Sequence, residues 1–541
     1  MTVLEIKNAN GLSIVNLVFL LLILISTIFY SNQILVHLAA LVFTLFVYKC
    51  FAKDIKQYLY FISIFLALIG SGVMVPITKT IGINLWYISV FAYYVYFIIE
   101  IIKDKKFTLD LKIFKNKFAV FFIIFICYIL ISLFFASDLL FSLRALKLFM
   151  VMIPLTIMFI IQNLQQDILN KTFKFLLYAY TFVLLFGTFE VFGFKFGLDN
   201  SLIAQGKYKW DWNFHKRIPI TFFYNQNNYA VLMVLGMLFL LIAASYQKNK
   251  ARKRVLIVLS VISQVNLIFT SSRTAIITVF IVCFSLFVLG VILRLKDLFV
   301  NSIKYTLLIC LTFIVVSLFK VTQPYYGKFD SLPGIKLLNA SNYTVYEKYL
   351  VNNKIEILNN INQTEKDTQN SNSNKKKIEE IKNQIEENKY IEENKERLSE
   401  EGSASNDVRL NVIKNIVRGV IIDKHYFGFG VGNTGWYLKN QENTKGIINA
   451  HSMWFEFLGD FGIFMFLYLI CIYLYTILEL IGIYKSSSEI KSMSSIMAAV
   501  GVLGFVFLSF GPSSIVNYTP FWMLIGISGS ILLNYRYKKI D

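Results

Sequence analysis

His451 is one of only four histidines, and it stands directly before a long apolar run. Ser452, Glu456 and Asp460 follow at steps of four, so on a helix they share a face. A carboxylate near a histidine can orient the imidazole and raise its basicity, as general-base catalysis requires; a lone histidine is otherwise a structural residue. Ahead of it, Asn406-Asp407-Val408-Arg409 leads through an apolar-periodic stretch to Gly428-Phe429-Gly430-Val431-Gly432-Asn433. Gly430, Gly432 and Asn433 in such a turn end a helix and let backbone approach a ligand. Further cations are Arg273 in Ser271-Ser272-Arg273, Arg217 beside His215 and Lys216, and Arg144 with Lys147 three residues on. Guanidinium groups bind phosphate oxygens in pairs and stay charged at any working pH, so the set suits a diphosphate or another anion. Snorkelling to lipid headgroups accounts equally well for Arg144 or Lys147, and less well for Arg273, whose two-serine turn leaves it little reach.

The elements that must position these groups are membrane helices. The 541-residue chain is 56% hydrophobic with a mean hydropathy of +0.59, beyond what a soluble domain carries. Apolar runs fall at 12–30, 33–51, 57–76, 81–102, 118–136, 145–164, 174–194, 222–245, 254–270, 274–294, 305–320, 452–482, 494–511 and 519–534. The expected fold is an all-α polytopic membrane protein of about 14 spans (12 to 14) with one large, mainly helical extracytoplasmic loop. Basic residues concentrate at 103–117, at 248–254 and at the C-terminus, which places those loops and both termini in the cytoplasm. Three units follow: 1–320 with spans 1 to 11, the outer loop 321–451, and 452–541 with spans 12 to 14. The Lys/Glu/Asn tract at 352–401 reads as a solvated helical or disordered insertion without a catalytic role. From Arg409 onward, Leu410, Ile413, Ile416, Val417 and Val420 recur on one face, as in a helix lying on the outer membrane surface. The cations and Glu190 gather on that outer side, against the bias of the remaining charge.

Other classes drop out. The five cysteines lie singly in apolar runs without metal-type spacing, so neither a disulfide framework nor a metal site is expected. The formal charge of +20 follows loop topology and attraction to anionic membrane lipid, which excludes nucleic acid as the implied partner. No strand-turn-helix context surrounds the glycines, so no dinucleotide cofactor is implied. The N-terminus, with Lys7 and no small-residue cleavage site, reads as a retained first helix.

Four patterns in this order resemble the O-antigen ligase/polymerase superfamily of bacterial surface-glycan enzymes. Phe222-Phe223-Tyr224-Asn225-Gln226-Asn227 is similar to its Phe-x-Asn-Pro-Asn entry to a span, with Gln226 where proline is usual. Ser271-Ser272-Arg273 resembles its Ser-Arg turn, and Ser405 to Arg409 with the glycine turn resembles its outer loop. His451-Ser452, nine residues and Gly462 fit its His-[Asn/Ser/Gln]-x9-Gly motif. The likeness runs from about 220 to 470; the insertion at 352–401 departs from it.

The resemblance implies an inverting, metal- and cofactor-independent glycosyltransferase on the outer face of the bacterial cytoplasmic membrane. Its donor would be a glycan on a polyprenyl diphosphate and its acceptor a hydroxyl of a second lipid-linked unit, with a chain-length regulator as a further partner. His451 would take the acceptor's proton, oriented by Glu456 or Asp460 with Ser452 beside them. Arg273 and Arg409 would stabilise the leaving diphosphate. Arg217, Asn227, Arg144, Lys147, Gly430, Gly432 and Asn433 would complete donor or glycan binding. A polymerase is the leading reading, a ligase to lipid, protein or wall the neighbouring one, and a glycolipid flippase the alternative of another class. A flippase predicts internal repeats and mid-membrane charges, and the polar residues here gather at one face instead.

Overall fold

The computed structural model describes residues 3–77, 82–104, 116–198, 217–223, 225–322, 408–444, 447–486, 489–511, 514 and 516–540. Most of the expected outer loop with its 352–401 tract, and the candidate residues His215, Lys216, Ser405, Asn406 and Asp407, lie outside the described residues.

The chain runs through α1 (Val3–Phe29), α2 (Ile34–Cys50), α3 (Ile55–Ile69), β1 (Met74–Pro76), β2 (Gly82–Asn84), α4 (Leu85–Asp104) and α5 (Lys117–Ile131). It continues with α6 (Leu139–Gln162), α7 (Gln166–Val191), α8 (Gln226–Tyr246), α9 (Lys250–Phe269), α10 (Arg273–Ile292) and α11 (Lys296–Ser317). After the loop come α12 (408–417), α13 (Thr434–Lys439), α14 (Met453–Ser486), α15 (Glu489–Leu508) and α16 (Thr519–Ile540). Each apolar run read from the sequence coincides with one of these helices. Among the described residues, ten helices are long and apolar enough to cross a membrane, and Ile55–Ile69 and Ser492–Leu508 are shorter apolar helices. The chain is an all-α, multi-pass membrane protein.

One run is shorter than expected. The 57–76 segment stays helical only to Ile69, because Gly70 takes φ 45°; the chain then forms a small antiparallel ladder in which Val75 pairs with Ile83. The bundle is built around helices that are apolar on every side. All side chains from Tyr58 to Ile69 of α3 are buried, and α8 is buried along most of its length against α9, α10 and α15. A group of polar side chains inside the bundle pairs together, which offsets the cost of burying them away from water. Asn163 donates to the Tyr60 hydroxyl at 2.7 Å, Thr172 donates to Asn163 at 2.7 Å, and Asn534 donates to the Asn163 carbonyl at 2.7 Å.

The site-bearing part has its own small core. Val412, Ile416 and Val420 pack with Phe429, Leu438, Ala450 and Leu458, tying α12 to the glycine turn and to the start of α14. The buried face of α12 is therefore 408–412–416, and Leu410, expected on the same face as Ile416, is exposed.

Candidate active site

Three stretches remote in sequence meet at one end of the bundle. Ser271, with φ 53°, and Ser272 turn the chain so that Arg273 begins α10. Arg409 lies in the first turn of α12. His451, with φ 50°, sits just before α14, a conformation that an L-residue adopts only at some cost. Arg409 lies within electrostatic reach of both Arg273 and His451. Burial first, then Arg273, holds the Arg409 guanidinium below its ordinary pKa, and burial first, then Arg409, pushes His451 down to about 4. At neutral pH the imidazole is uncharged and can accept a proton.

The carboxylates do not serve as expected. Asp460 accepts from Gly432 N at 2.8 Å, Thr434 N at 2.9 Å and Thr434 Oγ1 at 2.6 Å. It holds the glycine turn, and no carboxylate reaches His451 Nδ1, which is buried without a hydrogen-bond partner. Glu456 Oε1 accepts from the Ser514 hydroxyl. Ser452 is buried with its Oγ unpartnered beside His451, and its carbonyl accepts from Glu456 N at 2.9 Å.

The glycine turn also differs from the expectation that it approaches ligand: it approaches protein. Gly428, Gly430 and Gly432 all have positive φ, and a Cβ on each would meet Asp460 O at 2.5 Å, Ala136 Cα at 2.6 Å and Ala145 Cβ at 2.5 Å. The turn is a strap between the α5–α6 connection and α14. On one side Val431 N donates to Ser132 Oγ, Ser142 Oγ to Val431 O, and Asp138 N to Asn433 Oδ1 at 2.7 Å. Asn433 is fully buried and its amide donates to Ser142 Oγ at 2.7 Å, so its polar atoms are spent on the strap.

On the other side α14 is broken at Gly462, whose φ of 74° and ψ of −177° are not helical. The break frees backbone groups that would be costly in a membrane. The strap takes them up: Phe429 N donates to Gly459 O at 2.7 Å, Gly430 N to Asp460 O at 3.2 Å, and Ile463 N to Tyr426 O at 2.9 Å. Tyr128 donates to Phe461 O at 3.1 Å. The spacing from His451 to Gly462 thus sets the distance between the imidazole and the docking point of the strap.

The remaining predicted residues are placed apart. Arg144 and Lys147 are exposed on α6, Arg144 with its guanidinium 5.8 Å from the Phe141 ring centroid, and neither is among the charges that shift His451 or Arg409. Arg217, half-buried, is also outside that set. The segment after it is gripped by Glu190, whose Oε2 accepts from Ile220 N at 2.7 Å and Thr221 N at 2.8 Å. Asn225 caps α8 by accepting from Asn227 N at 2.7 Å; Gln226 is then the first helical residue, where proline is tolerated and not required. Asn227 lies half-buried in that first turn. Among the described residues, no group of three His, Cys, Asp or Glu side chains is placed to hold a metal ion. Ser132, Asp138 and Ser142 gave no signal in the sequence, because ordinary polar residues near a helix end acquire a role only through partners 291 to 299 residues away, and Thr434 only through its contact with Asp460.

Residues 255–470, which carry Arg273, Arg409, His451 and Gly462, match the O-antigen ligase family. The chain is similar to the O-antigen ligase family over about two fifths of its 541 residues. A stretch of 126 residues is 29% identical to the teichuronic acid biosynthesis protein TuaE of Bacillus subtilis (strain 168), covering 23% of this chain and 26% of that protein. No solved structure matches. The matched segment contains the strap and its dock on α14, whereas the α5–α6 connection that holds the strap from the other side lies before it.

Proposed function

We propose that the protein is a surface-polysaccharide polymerase, a glycosyltransferase that moves a glycan from a polyprenyl diphosphate to a hydroxyl of another lipid-linked unit. The observation that carries this reading is the cluster of Arg273, Arg409 and an uncharged His451, drawn from three distant stretches within the matched segment. The acceptor hydroxyl forms a bond to the anomeric carbon of the donor as the bond from that carbon to the diphosphate oxygen breaks. The electron pair leaves with the diphosphate, and the acceptor proton passes to His451. A diphosphate is already a good leaving group, so the two guanidinium groups contribute by stabilising its charge, with no protonation step needed. Displacement at the anomeric carbon in one step gives inversion.

Arg409 lowers the proton affinity of His451, and Arg273 in turn acts on Arg409. Donor binding reverses this, because the diphosphate's negative charge offsets the cations and makes His451 a better base when it is needed. The proposed site faces outward, with both termini in the cytoplasm, and donor, acceptor and membrane lipid are its partners; a chain-length regulator would be a further one. Transfer of finished glycan to another acceptor is the second reading, favoured by the description of the matched family as O-antigen ligase.

The test is replacement of His451 and of Arg273 by alanine in the producing cell. Loss of long polymer with accumulation of single lipid-linked units is expected of both. Polymer of normal length from either variant would sink the assigned chemistry, and accumulation of finished lipid-linked polymer would favour a ligase.

A further inference from the structure

The segment joining α12 to the strap carries an apolar tip that faces away from the protein. After α12 the helix widens into a π-turn at Arg418–Ile422, and residues 421–427 (Ile-Ile-Asp-Lys-His-Tyr-Phe) are all exposed. Ile422 is 68% and Phe427 60% exposed, in a segment whose neighbours Val420 and Phe429 are fully buried. The exposure therefore belongs to the tip and not to loose packing of the whole region. Such a patch in water would be a liability; beside a membrane surface it is a contact.

The tip is continuous with the outward faces of two membrane-crossing helices. The Phe427 ring lies 5.6 Å from that of Phe464 in α14, itself 60% exposed. Tyr128 of α5 donates to Phe427 O at 3.2 Å, and its ring stands 6.3 Å from Phe135, next to the exposed Phe134. Ile421, Ile422, Tyr426, Phe427, Phe464 and Phe134 thus extend the lipid-facing surface of α5 and α14 sideways. Lys424 stands exposed among them, its side chain long enough for the ammonium to reach headgroups, while Asp423 pairs with Tyr437 and Arg418. Aromatic and aliphatic side chains with interspersed charge are the composition of a membrane-interface anchor.

We infer that residues 421–427 insert into the headgroup–acyl boundary of the bilayer and clamp the outer end of α12 to the lipid surface. Because the same tip leads into the strap, the clamp sets the height of Arg409 relative to the membrane plane. This inference does not rest on the proposed reaction, and its test reads depth and not activity.

The full chain, with its five native cysteines replaced, is reconstituted in phosphatidylcholine vesicles with an environment-sensitive fluorophore on Ile422→Cys or Phe427→Cys. Lys414→Cys, exposed on α12, and Phe464→Cys, on a membrane helix, are the references. Brominated acyl chains are expected to quench the labels at 422 and 427 nearly as strongly as at 464, and several-fold more than at 414. Quenching no stronger than at 414 would overturn the inference. So would shielding that disappears when the protein is diluted in lipid, which would assign the patch to a second copy of the chain. A second measurement, Ile422→Trp with the native cysteines intact, reads the same quenching as a difference from the parent chain, so failure of the cysteine-free protein to fold leaves the question answerable.

Discussion

His451 owes its chemical state to burial and to Arg409, and both effects act in one direction. Its pKa of about 4 keeps the imidazole neutral across the physiological range, so the free enzyme's kcat/KM should be flat above pH 5 and fall only as pH drops through about 4. If donor diphosphate offsets the arginine charge, the acid limb of kcat should lie at higher pH than that of kcat/KM; coincident limbs would remove the charge-compensation argument. Arg409→Gln should raise the limb of the free enzyme towards 6.5, alongside a large loss of rate. Folding stability is linked with the same sign. Between about 4 and 6.5 the unfolded chain binds a proton at His451 that the folded chain does not, so stability should fall as pH drops through that window. Thermal unfolding of His451→Gln, which lacks the titrating ring, should show a weaker pH dependence there.

The strap and broken helix α14 form one device. Gly462 adopts φ 74°, and a Cβ there would meet Tyr426 O at 2.1 Å, closer than any tolerable contact. Gly462→Ala should therefore unseat the strap, adding about 1–3 kcal/mol of backbone strain to the lost hydrogen bonds, and should abolish polymer without touching a reacting group. Asp460→Ala removes the acceptor of the Gly432 and Thr434 N–H groups, the second of them buried, at roughly 1–3 kcal/mol each, and should lower the unfolding temperature in detergent. Asp460→Asn, which retains one acceptor oxygen, should keep part of the activity with the acid limb of His451 unmoved. A shifted limb would return Asp460 to the role of ring-orienting carboxylate. The same spacing that suggested a carboxylate for His451 thus serves the loop, because the face shared by Ser452, Glu456 and Asp460 turns towards the strap at its far end.

Across the molecule, the fourteen apolar runs lie on helices, 57–76 only as far as Ile69, and the candidate site collects at the ends of α10, α12 and α14. The inside-outside assignment, with both termini cytoplasmic, follows from basic loops alone; impermeant labelling of cysteines placed at 250 and 440 in intact cells should modify only the second. The acidic and basic tract at 352–401 has too few apolar residues to build a core, so excising it with a short linker should leave polymer formation within a few-fold of the parent.

The sequence by itself determined the class of fold, because hydropathy over about 20 residues is a local quantity that the bilayer imposes directly. It also marked Arg273, Arg409 and His451, since charge at the ends of apolar helices is conspicuous wherever the rest of the chain lies. What only the tertiary structure decided is which polar residues have their hydrogen bonds taken up by the fold. Asp460, Asn433 and the glycines look like site residues in one dimension; their hydrogen-bonding capacity and close approaches are taken up by Thr434, Ser142, Ala136 and the break in α14. Likewise, Arg144 and Arg273 read alike as cations near helix ends, yet one lies exposed over Phe141 and the other faces Arg409. Spacing along a chain constrains neighbours on one helix, whereas the partners that consume or expose a polar group come from other helices, and those contacts exist only in the folded bundle.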